Sequence, residues 1–200
     1  QTCALPIWSI KEACGDEFPV LLRYSLKSYI KQVGRGGLPG EQFEELGRDI
    51  PEGLEAARLL HEAGYDGFDV DAGSYDSWYW AHPPMYFEDG MNLDFARRLK
   101  QAMDVPMLVA GRMDRPELAA RAVEQGEVDL VGLGRPLLAD PEVVNKIRRD
   151  AFDRIRPCLG CHEGCMQRLV TAKPVSCAVN PAGGREMAYT LLPVLERKRV

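Results

Sequence analysis

Four cysteines near the carboxyl end of the sequence have a spacing that is typical of metal binding. In the order C-x2-C-x3-C-x11-C they occupy twenty residues of a 200-residue chain that has six cysteines in all. Thiolates bind both iron–sulfur clusters and structural zinc, and this spacing fits either. A disulfide-stabilised secreted protein would instead spread its cysteines along the chain. The spacing therefore predicts a metal site, with iron–sulfur and zinc both open, formed by Cys158, Cys161, Cys165 and Cys177.

Two glycine–arginine pairs, Gly111-Arg112 and Gly134-Arg135, each follow a predicted strand and precede a predicted helix. Glycine lets the backbone approach an anion, and arginine adds a forked, charge-assisted donor. The free N–H groups at the start of a helix also favour negative ligands. The alternative is that both pairs are turn glycines followed by surface arginines. We interpret the two pairs as a site for a phosphate-bearing ligand.

Three further side chains near predicted strand ends could take part in chemistry. Arg23 ends an apolar run, where an unpaired charge would be costly to bury. It is therefore expected to meet an anion or an electron-rich ring, or to pair with Asp69 or Asp71 on the next strand. Tyr75 and His82 are candidates for proton transfer, with structural packing as the alternative role for each.

The elements that must position these residues alternate along the chain. Four strand-then-helix units in succession predict an α/β protein with a parallel sheet and right-handed crossovers. No G-x-G-x-x-G fingerprint of a doubly wound nucleotide-binding fold occurs. The pattern favours half of a (β/α)8 TIM barrel, in which working residues lie at the carboxyl ends of the strands. Strands are predicted at residues 18–24, 65–72, 105–110 and 128–133, and helices at 51–64, 94–103, 116–125 and 141–149.

Composition excludes several classes of protein. The chain has 25 basic and 30 acidic residues, a net charge of −5, whereas nucleic-acid binders normally carry a basic surplus. No apolar run approaches the roughly 18 residues that a membrane span requires. No secretion signal is visible, and the clustered cysteines suggest a reducing compartment, so a cytoplasmic protein without nucleic-acid or membrane partners is expected.

Four motifs and their order point to one family. They read RYSLKSYIK, FDVDAGSYDSWYWAHPPMY, AGRM and VGLGRPLLADP, and the cysteine group follows them. Together they resemble the old yellow enzyme family, and within it the iron–sulfur branch that includes 2-enoate reductases and 2,4-dienoyl-CoA reductases. The resemblance covers roughly residues 8–198, and its most specific part is the cysteine spacing with the 23-residue step from Arg135 to Cys158.

The resemblance implies a set of cofactors. In that family a (β/α)8 barrel binds FMN, a [4Fe–4S] cluster follows, and a carboxyl-terminal domain binds FAD and NAD(P)H. Electrons pass from NAD(P)H through FAD and the cluster to FMN, which gives a hydride to the C=C bond of a 2-enoate or enoyl-CoA. Carried over by residue, Arg23 would contact the flavin ring, the two glycine–arginine pairs the FMN phosphate, and the four cysteines the cluster.

The resemblance also implies that the chain is an internal fragment, inactive by itself. Residues 1–7 do not match the family and are expected to be a non-native leader. Residues 8–150 would be the carboxyl-terminal half of the FMN-binding barrel, and residues 151–183 the cysteine-rich iron–sulfur segment. Residues 184–200 would begin the linker to the FAD and NAD(P)H domain.

One departure from the family leaves the catalytic group open. Related dienoyl-CoA reductases have a histidine in a Gly-x-His pattern where this chain reads Gly73-Ser74-Tyr75, so that Tyr75 or His82 is the candidate. The expected substrate is a small unsaturated acid or acyl-CoA, and a homo-oligomer is left open. The alternative functions are an amine dehydrogenase of the same family and a non-catalytic, zinc-stapled α/β module.

Overall fold

Short apolar segments of the chain form a parallel sheet, and the amphipathic segments between them form helices that cover it. A computed structural model describes residues 5–189; Cys3 and residues 190–200, which include most of the predicted linker, lie outside the described residues. The chain divides into two compact units, of which the first ends at Leu133 and the second begins at Gly134.

Six strands belong to the first unit. Four of them pair in parallel in the order β1-β4-β5-β6, and β2 and β3 form a separate antiparallel hairpin. The parallel strands are consecutive in the sheet, as the predicted strand–helix units require, so the α/β class is confirmed. Numbered along the chain, the strands are β1 (Leu21–Ser25), β2 (Ile30–Gln32), β3 (Arg35–Gly36), β4 (Gly67–Asp71), β5 (Met107–Val109) and β6 (Leu130–Val131).

Eight α-helices accompany these strands among residues 5–189. Helices α2, α4 and α5 connect consecutive parallel strands, whereas α6, α7 and α8 belong to the second unit. The helices are α1 (Leu5–Cys14), α2 (Ile50–Glu62), α3 (Trp78–Ala81), α4 (Leu93–Ala102), α5 (Pro116–Glu124), α6 (Arg135–Ala139), α7 (Val143–Arg148) and α8 (Met166–Val170), with a short 3-10 helix at Phe152–Arg154.

The two faces of the sheet differ in composition and burial. Side chains alternate between the faces of a strand, so Tyr24, Phe68 and Val109 project to one side, where they are buried with residues of α2, α4 and α5. The opposite face carries Arg23 and, in register beside it, Asp69. The core therefore lies between the sheet and its helices, and the chemically interesting side chains lie on the other face.

Several local elements differ from the sequence prediction. The strands are shorter than predicted, and α1, α3, α6, α8 and the β2–β3 hairpin were not predicted. Helix α7 begins at Val143 rather than at residue 141. Ile7 of α1 is buried, residues 1–4 are outside the described part, and the expectation of a non-native leader at residues 1–7 stays a prediction.

Two buried polar side chains organise the second unit. Asp140, with 1% of its surface exposed, accepts hydrogen bonds from Lys146 Nζ at 2.5 Å and from the backbone N–H of Arg156 at 2.9 Å. Asn180 donates to the carbonyl of Leu138 at 2.9 Å. These bonds join α6 and α7 to the segments that carry the first and last clustered cysteines.

Helix α2 packs closely enough on the first strand to reverse the usual effect of a glycine-to-alanine change. Alanine normally favours a helix interior over glycine by about 1 kcal/mol. A Cβ at Gly53, however, would lie 2.2 Å from the backbone oxygen of Leu26. We expect Gly53→Ala to lower the free energy of unfolding by about 2 kcal/mol through overpacking, as measured by urea unfolding.

Glu62→Ala, an exposed change in the same helix, is the matched control and should stay within about 0.5 kcal/mol of wild type. A Gly53→Ala protein that is more stable than wild type would contradict this packing.

The carboxyl group of Asp140 should make the second unit sensitive to acid. Burial raises its pKa, but hydrogen bonds from Lys146 and from the backbone of Arg156 and Glu142 outweigh this effect and hold the pKa below its usual value. A lowered pKa means that the carboxylate stabilises the fold above the unfolded pKa of about 3.9, and that this contribution is lost as pH falls through the folded value.

We therefore expect Asp140→Asn to destabilise the protein by about 2 to 3 kcal/mol at neutral pH, with the difference shrinking below about pH 4. Unfolding titrations at several pH values test this, with the exposed Asp153→Asn as control. A difference that persists unchanged to the lowest pH would argue against the charged hydrogen bonds.

Candidate functional site

Arg23 is the third of the five residues of β1, and it is held by an acidic partner at the carboxyl end of β4. Its Nε and Nη2 both donate to one oxygen of Asp71, Oδ2, at 2.8 and 2.7 Å. The Asp71 side chain is 8% exposed, whereas that of Arg23 is 55% exposed. Of the two partners that the sequence left open, the structure therefore selects Asp71, and the guanidinium remains accessible on the open face of the sheet.

Burial changes the acidity of the two carboxyl groups on this face. Desolvation raises the pKa of Asp71 although Arg23 acts in the opposite direction. Desolvation likewise raises the pKa of Asp69, whose buried Oδ1 accepts no hydrogen bond from residues 5–189. This face of the sheet thus combines one cation with two carboxyl groups whose pKa values are raised.

Arg112 lies in the loop after β5 and has acidic partners of its own. Its guanidinium pairs with Asp89 at 2.6 Å and with Asp114 at 3.5 Å, and its side chain is mostly buried. The preceding Gly111 has φ of +104°, and a Cβ there would lie 2.5 Å from Nδ2 of Asn92. Arg112 is therefore not the surface arginine that the sequence allowed as an alternative.

Arg135 lies in the second unit, among the clustered cysteines. Its Nη1 donates to Nε2 of His162 at 2.6 Å. Arginine can only donate, so this geometry requires His162 Nε2 to accept. The preceding Gly134 caps α6, and an added Cβ there would meet nothing within 4 Å.

All four clustered cysteines line one cavity in the second unit. The cavity is small, with a volume of about 20 Å³, and it is partly open to solvent; Arg135 and His162 also line it. Within residues 5–189, no group of three or more His, Cys, Asp or Glu side chains is placed to bind a single metal ion. The four cysteines that were predicted as metal ligands thus line the same cavity.

Close backbone contact brings the two cysteine-bearing segments together. The N–H of Ser176 donates to the carbonyl of Gly164 at 2.7 Å. This bond places Cys165 and Cys177, the residues that follow each of these two, in adjacent segments of the chain. A Cβ at Gly164 would lie 2.6 Å from the oxygen of Ser176 and 2.9 Å from the Cα of Cys177. Only glycine fits at position 164, because any side chain would overlap the backbone of the facing segment. The spacing of the cysteines in the sequence did not indicate this role.

Aromatic rings form a ladder in the loop after β4. The ring of Tyr75 stacks on Trp78 with centroids 5.9 Å apart and planes at 21°, and Trp78 stacks on His82 at 4.2 Å and 20°. Tyr75 is 90% exposed, and Trp78 and His82 are partly buried. The two predicted proton-transfer residues are therefore joined through a tryptophan that was not singled out for this role.

The same loop is anchored on its other side. Buried Ser77 donates to the carbonyl of Ser28 at 2.6 Å, and Trp80 Nε1 donates to the carbonyl of Gly37 at 2.7 Å. Trp80 also stacks on Tyr29 at 3.6 Å, with planes 9° apart. Burial, with the nearby carboxylates of Glu45 and Asp94, raises the pKa of Tyr29 to about 12, which suits a packing role rather than proton transfer.

The base of this aromatic loop is fixed beside the strand that carries Arg23. Ser25, two residues after Arg23, donates from its hydroxyl to the carbonyl of Gly73 at 2.7 Å. A Cβ at Gly73, whose φ is +96°, would lie 2.7 Å from Cβ of Trp80. The aromatic loop therefore begins at the carboxyl end of β1, two residues beyond Arg23, and the carboxyl ends of parallel strands are where α/β proteins bind ligands.

No helix within the described residues is long and apolar enough to cross a membrane.

Comparison with known proteins places this chain among flavin enzymes. Residues 7–153 match the NADH:flavin oxidoreductase / NADH oxidase family. A cinnamate reductase of Clostridium sporogenes is 56% identical over 194 residues, which are 97% of this chain and 29% of that protein. The chain thus spans less than a third of the length of this relative.

Two solved structures are similar to the fold. A 2-naphthoyl-CoA reductase in complex with 2-naphthoyl-CoA superposes with a TM-score of 0.77 at 27% identity, covering 90% of this chain and 25% of that one. A histamine dehydrogenase of Rhizobium sp. 4-9 gives 0.73 at 28% identity, covering 90% and 24%. The chain belongs to the NADH:flavin oxidoreductase / NADH oxidase family.

Proposed function

We propose that the protein containing this chain reduces the C=C bond of an aryl-conjugated 2-enoate or enoyl-CoA, with electrons from NAD(P)H. The observation that carries the proposal is the ring ladder of Tyr75, Trp78 and His82 at the carboxyl end of the strand that carries Arg23. Planar aromatic substrates stack favourably on such rings. The names of two similar proteins support an aryl substrate: cinnamate is an aryl-conjugated 2-enoate, and 2-naphthoyl-CoA is an aromatic acyl-CoA.

The first unit fits the role of a flavin-binding half-barrel. The face of its sheet that carries Arg23 is the less buried one, and Leu21 and Leu130 on that face are exposed. We assign residues 8–150 to the carboxyl-terminal half of the FMN-binding barrel, with this face inward. Arg23 has an accessible guanidinium for the flavin ring, and when bound, FMN would supply the hydride that adds to the alkene.

Each glycine–arginine pair, taken by itself, remains our candidate for contact with the FMN phosphate. Gly111 and Gly134 offer backbone without side-chain obstruction, and Arg112 and Arg135 offer guanidinium groups. The carboxylate of Asp89 beside Arg112 would have to share that arginine with a phosphate.

The second unit fits the role of an iron–sulfur segment. Its four cysteines surround one cavity, and thiolates are the ligands of [4Fe–4S] clusters. We assign residues 151–183 to this segment. When bound, the cluster would pass single electrons between FMN and an FAD in the remainder of the protein, and a reducing cytoplasm would suit its partly buried thiolates.

Within the substrate site, this chain's own residues have distinct roles. Trp78 would position the aryl ring, since it is central in the ladder. Tyr75 carries the exposed hydroxyl and His82 the imidazole, and these are the groups on the ladder that can hold or move a proton.

An amine dehydrogenase is the second candidate function. The similarity to a histamine dehydrogenase favours it, and a ladder of aromatic rings can also hold a cation. The two functions differ in what the ladder recognises, a neutral aryl ring or a protonated amine. Turnover of cinnamate against turnover of an alkylamine by the full-length protein separates them.

Trp78 should determine the preference for aryl substrates. We expect Trp78→Leu in the full-length enzyme to raise KM for cinnamate about tenfold. The reason is that stacking of a planar ring on an aromatic side chain contributes about 1 to 3 kcal/mol to binding. KM for crotonate, which has no ring, should change less than twofold. Steady-state kinetics with both acids test this.

Tyr86→Leu is the matched control, because Tyr86 is an exposed aromatic of the same segment outside the ladder, and its KM values should stay unchanged. Equal losses on cinnamate and crotonate in Trp78→Leu would count against aryl recognition.

The close contact at Gly164 should be required for cluster binding. We expect Gly164→Ala to push apart the segments of Cys165 and Cys177, because the added Cβ would overlap backbone atoms. Iron and acid-labile sulfide, near four of each per chain for a [4Fe–4S] wild type, should fall by more than half in anaerobically purified variant.

Gly134→Ala serves as the control for iron content, because its Cβ would meet open space. Zinc in place of iron in the wild-type protein would instead favour the zinc-stapled module.

A further inference from the structure

The ion pair between Arg23 and Asp71 is not needed to hold the sheet together. The two strands already pair in parallel over five positions, from Leu21 opposite Gly67 to Ser25 opposite Asp71. An ion pair with one exposed partner adds little stability. Burying the carboxyl group of Asp71 opposes this small gain, as its raised pKa indicates.

The geometry of the pair restricts how the guanidinium can be used. Nε and Nη2 of Arg23 both bond to Oδ2 of Asp71, so one edge of the fork is occupied. Nη1 takes no part in the contacts with Asp71. Two donors on one buried acceptor fix the plane of the guanidinium and direct its remaining edge away from β4.

Asp71 also changes the charge that Arg23 presents. A carboxylate oxygen less than 3 Å from the cation offsets much of its field at any group beyond it. Asp69 lies directly opposite Arg23 in the register of the two strands, and the two side chains interact electrostatically. A ligand at this face of the sheet would therefore meet an oriented donor of reduced net charge.

We infer that Asp71 is a positioning residue that orients Arg23 towards the flavin and, by offsetting its charge, lowers the reduction potential of the bound flavin. The inference rests on the proposed function, because it needs FMN beside Arg23. A reduced flavin carries negative charge on its pyrimidine ring, which an unopposed arginine would stabilise. With the charge offset, the flavin is a stronger hydride donor, which suits an alkene activated only by a carboxylate.

The inference is tested in the full-length, FMN-loaded enzyme by redox titration of the flavin and by sulfite binding. Sulfite adds to oxidised flavin and leaves an anionic ring, so its affinity reports the positive charge nearby. We expect Asp71→Asn to tighten sulfite binding about tenfold. The flavin potential should rise by about 30 mV, which corresponds to a tenfold change in the equilibrium constant of a two-electron couple.

Asp71→Ser should produce a similar rise and provides a second variant in case Asp71→Asn does not fold. Asp71→Glu, which retains the negative charge, should raise the flavin potential by less than half as much as Asp71→Asn. Asp66→Asn is the matched control: this carboxylate of the same unit bonds to Lys11 and to the N–H of Val20, so its loss should affect stability without changing the flavin potential.

Two outcomes would overturn the inference. One is FMN-loaded Asp71 variants with unchanged potential and unchanged sulfite affinity, which would make the residue merely structural. The other is an FMN-loaded Arg23→Gln variant with unchanged potential, because the arginine would then not act on the flavin. A wild-type protein that binds no FMN would instead refute the proposed function itself.

Discussion

The parallel register between β1 and β4 is the constraint on which the first unit depends. Because Arg23 lies opposite Asp69 and Ser25 opposite Asp71, the polar side chains of both strands leave the sheet on one face with exposed Leu21, whereas Tyr24 and Phe68 lie on the other face in the core. A slip of one residue would exchange these faces and would put Arg23 among Tyr24's neighbours in the core. The same register places Ser25 where its hydroxyl bonds to Gly73, so the start of the aromatic loop is also determined by it.

The sheet could be predicted from the sequence because its physics is local. Buried parallel strands are continuous apolar runs, and the helices between them have a clear apolar face, so both types of element were predicted with their order. The short elements could not be predicted. The β2–β3 hairpin and α3 are held by contacts distant in sequence, such as Trp80 with the carbonyl of Gly37, and no periodicity signals a contact of that kind.

The candidate site was predictable in its members but not in its pairings. Residue type and spacing indicated the cysteines and the three arginines, since few other roles suit them. Which carboxylate each arginine meets depends on register and loop geometry: Asp71 for Arg23 and Asp89 for Arg112. Trp78 is one of five aromatics within residues 75–86, and sequence alone does not distinguish a ring that packs inward from one that remains accessible.

Two tryptophans of the aromatic loop have different roles, one in anchoring the loop and the other in the ring ladder. Trp80 is buried, hydrogen-bonded and stacked on Tyr29, whereas Trp78 lies in the partly exposed ladder. Replacement of Trp78 therefore leaves the anchoring contacts of the loop in place. An enzyme built in this way can acquire new substrates by mutation at one position while its scaffold remains intact. Related enzymes can therefore diverge in substrate specificity without first having to become more stable.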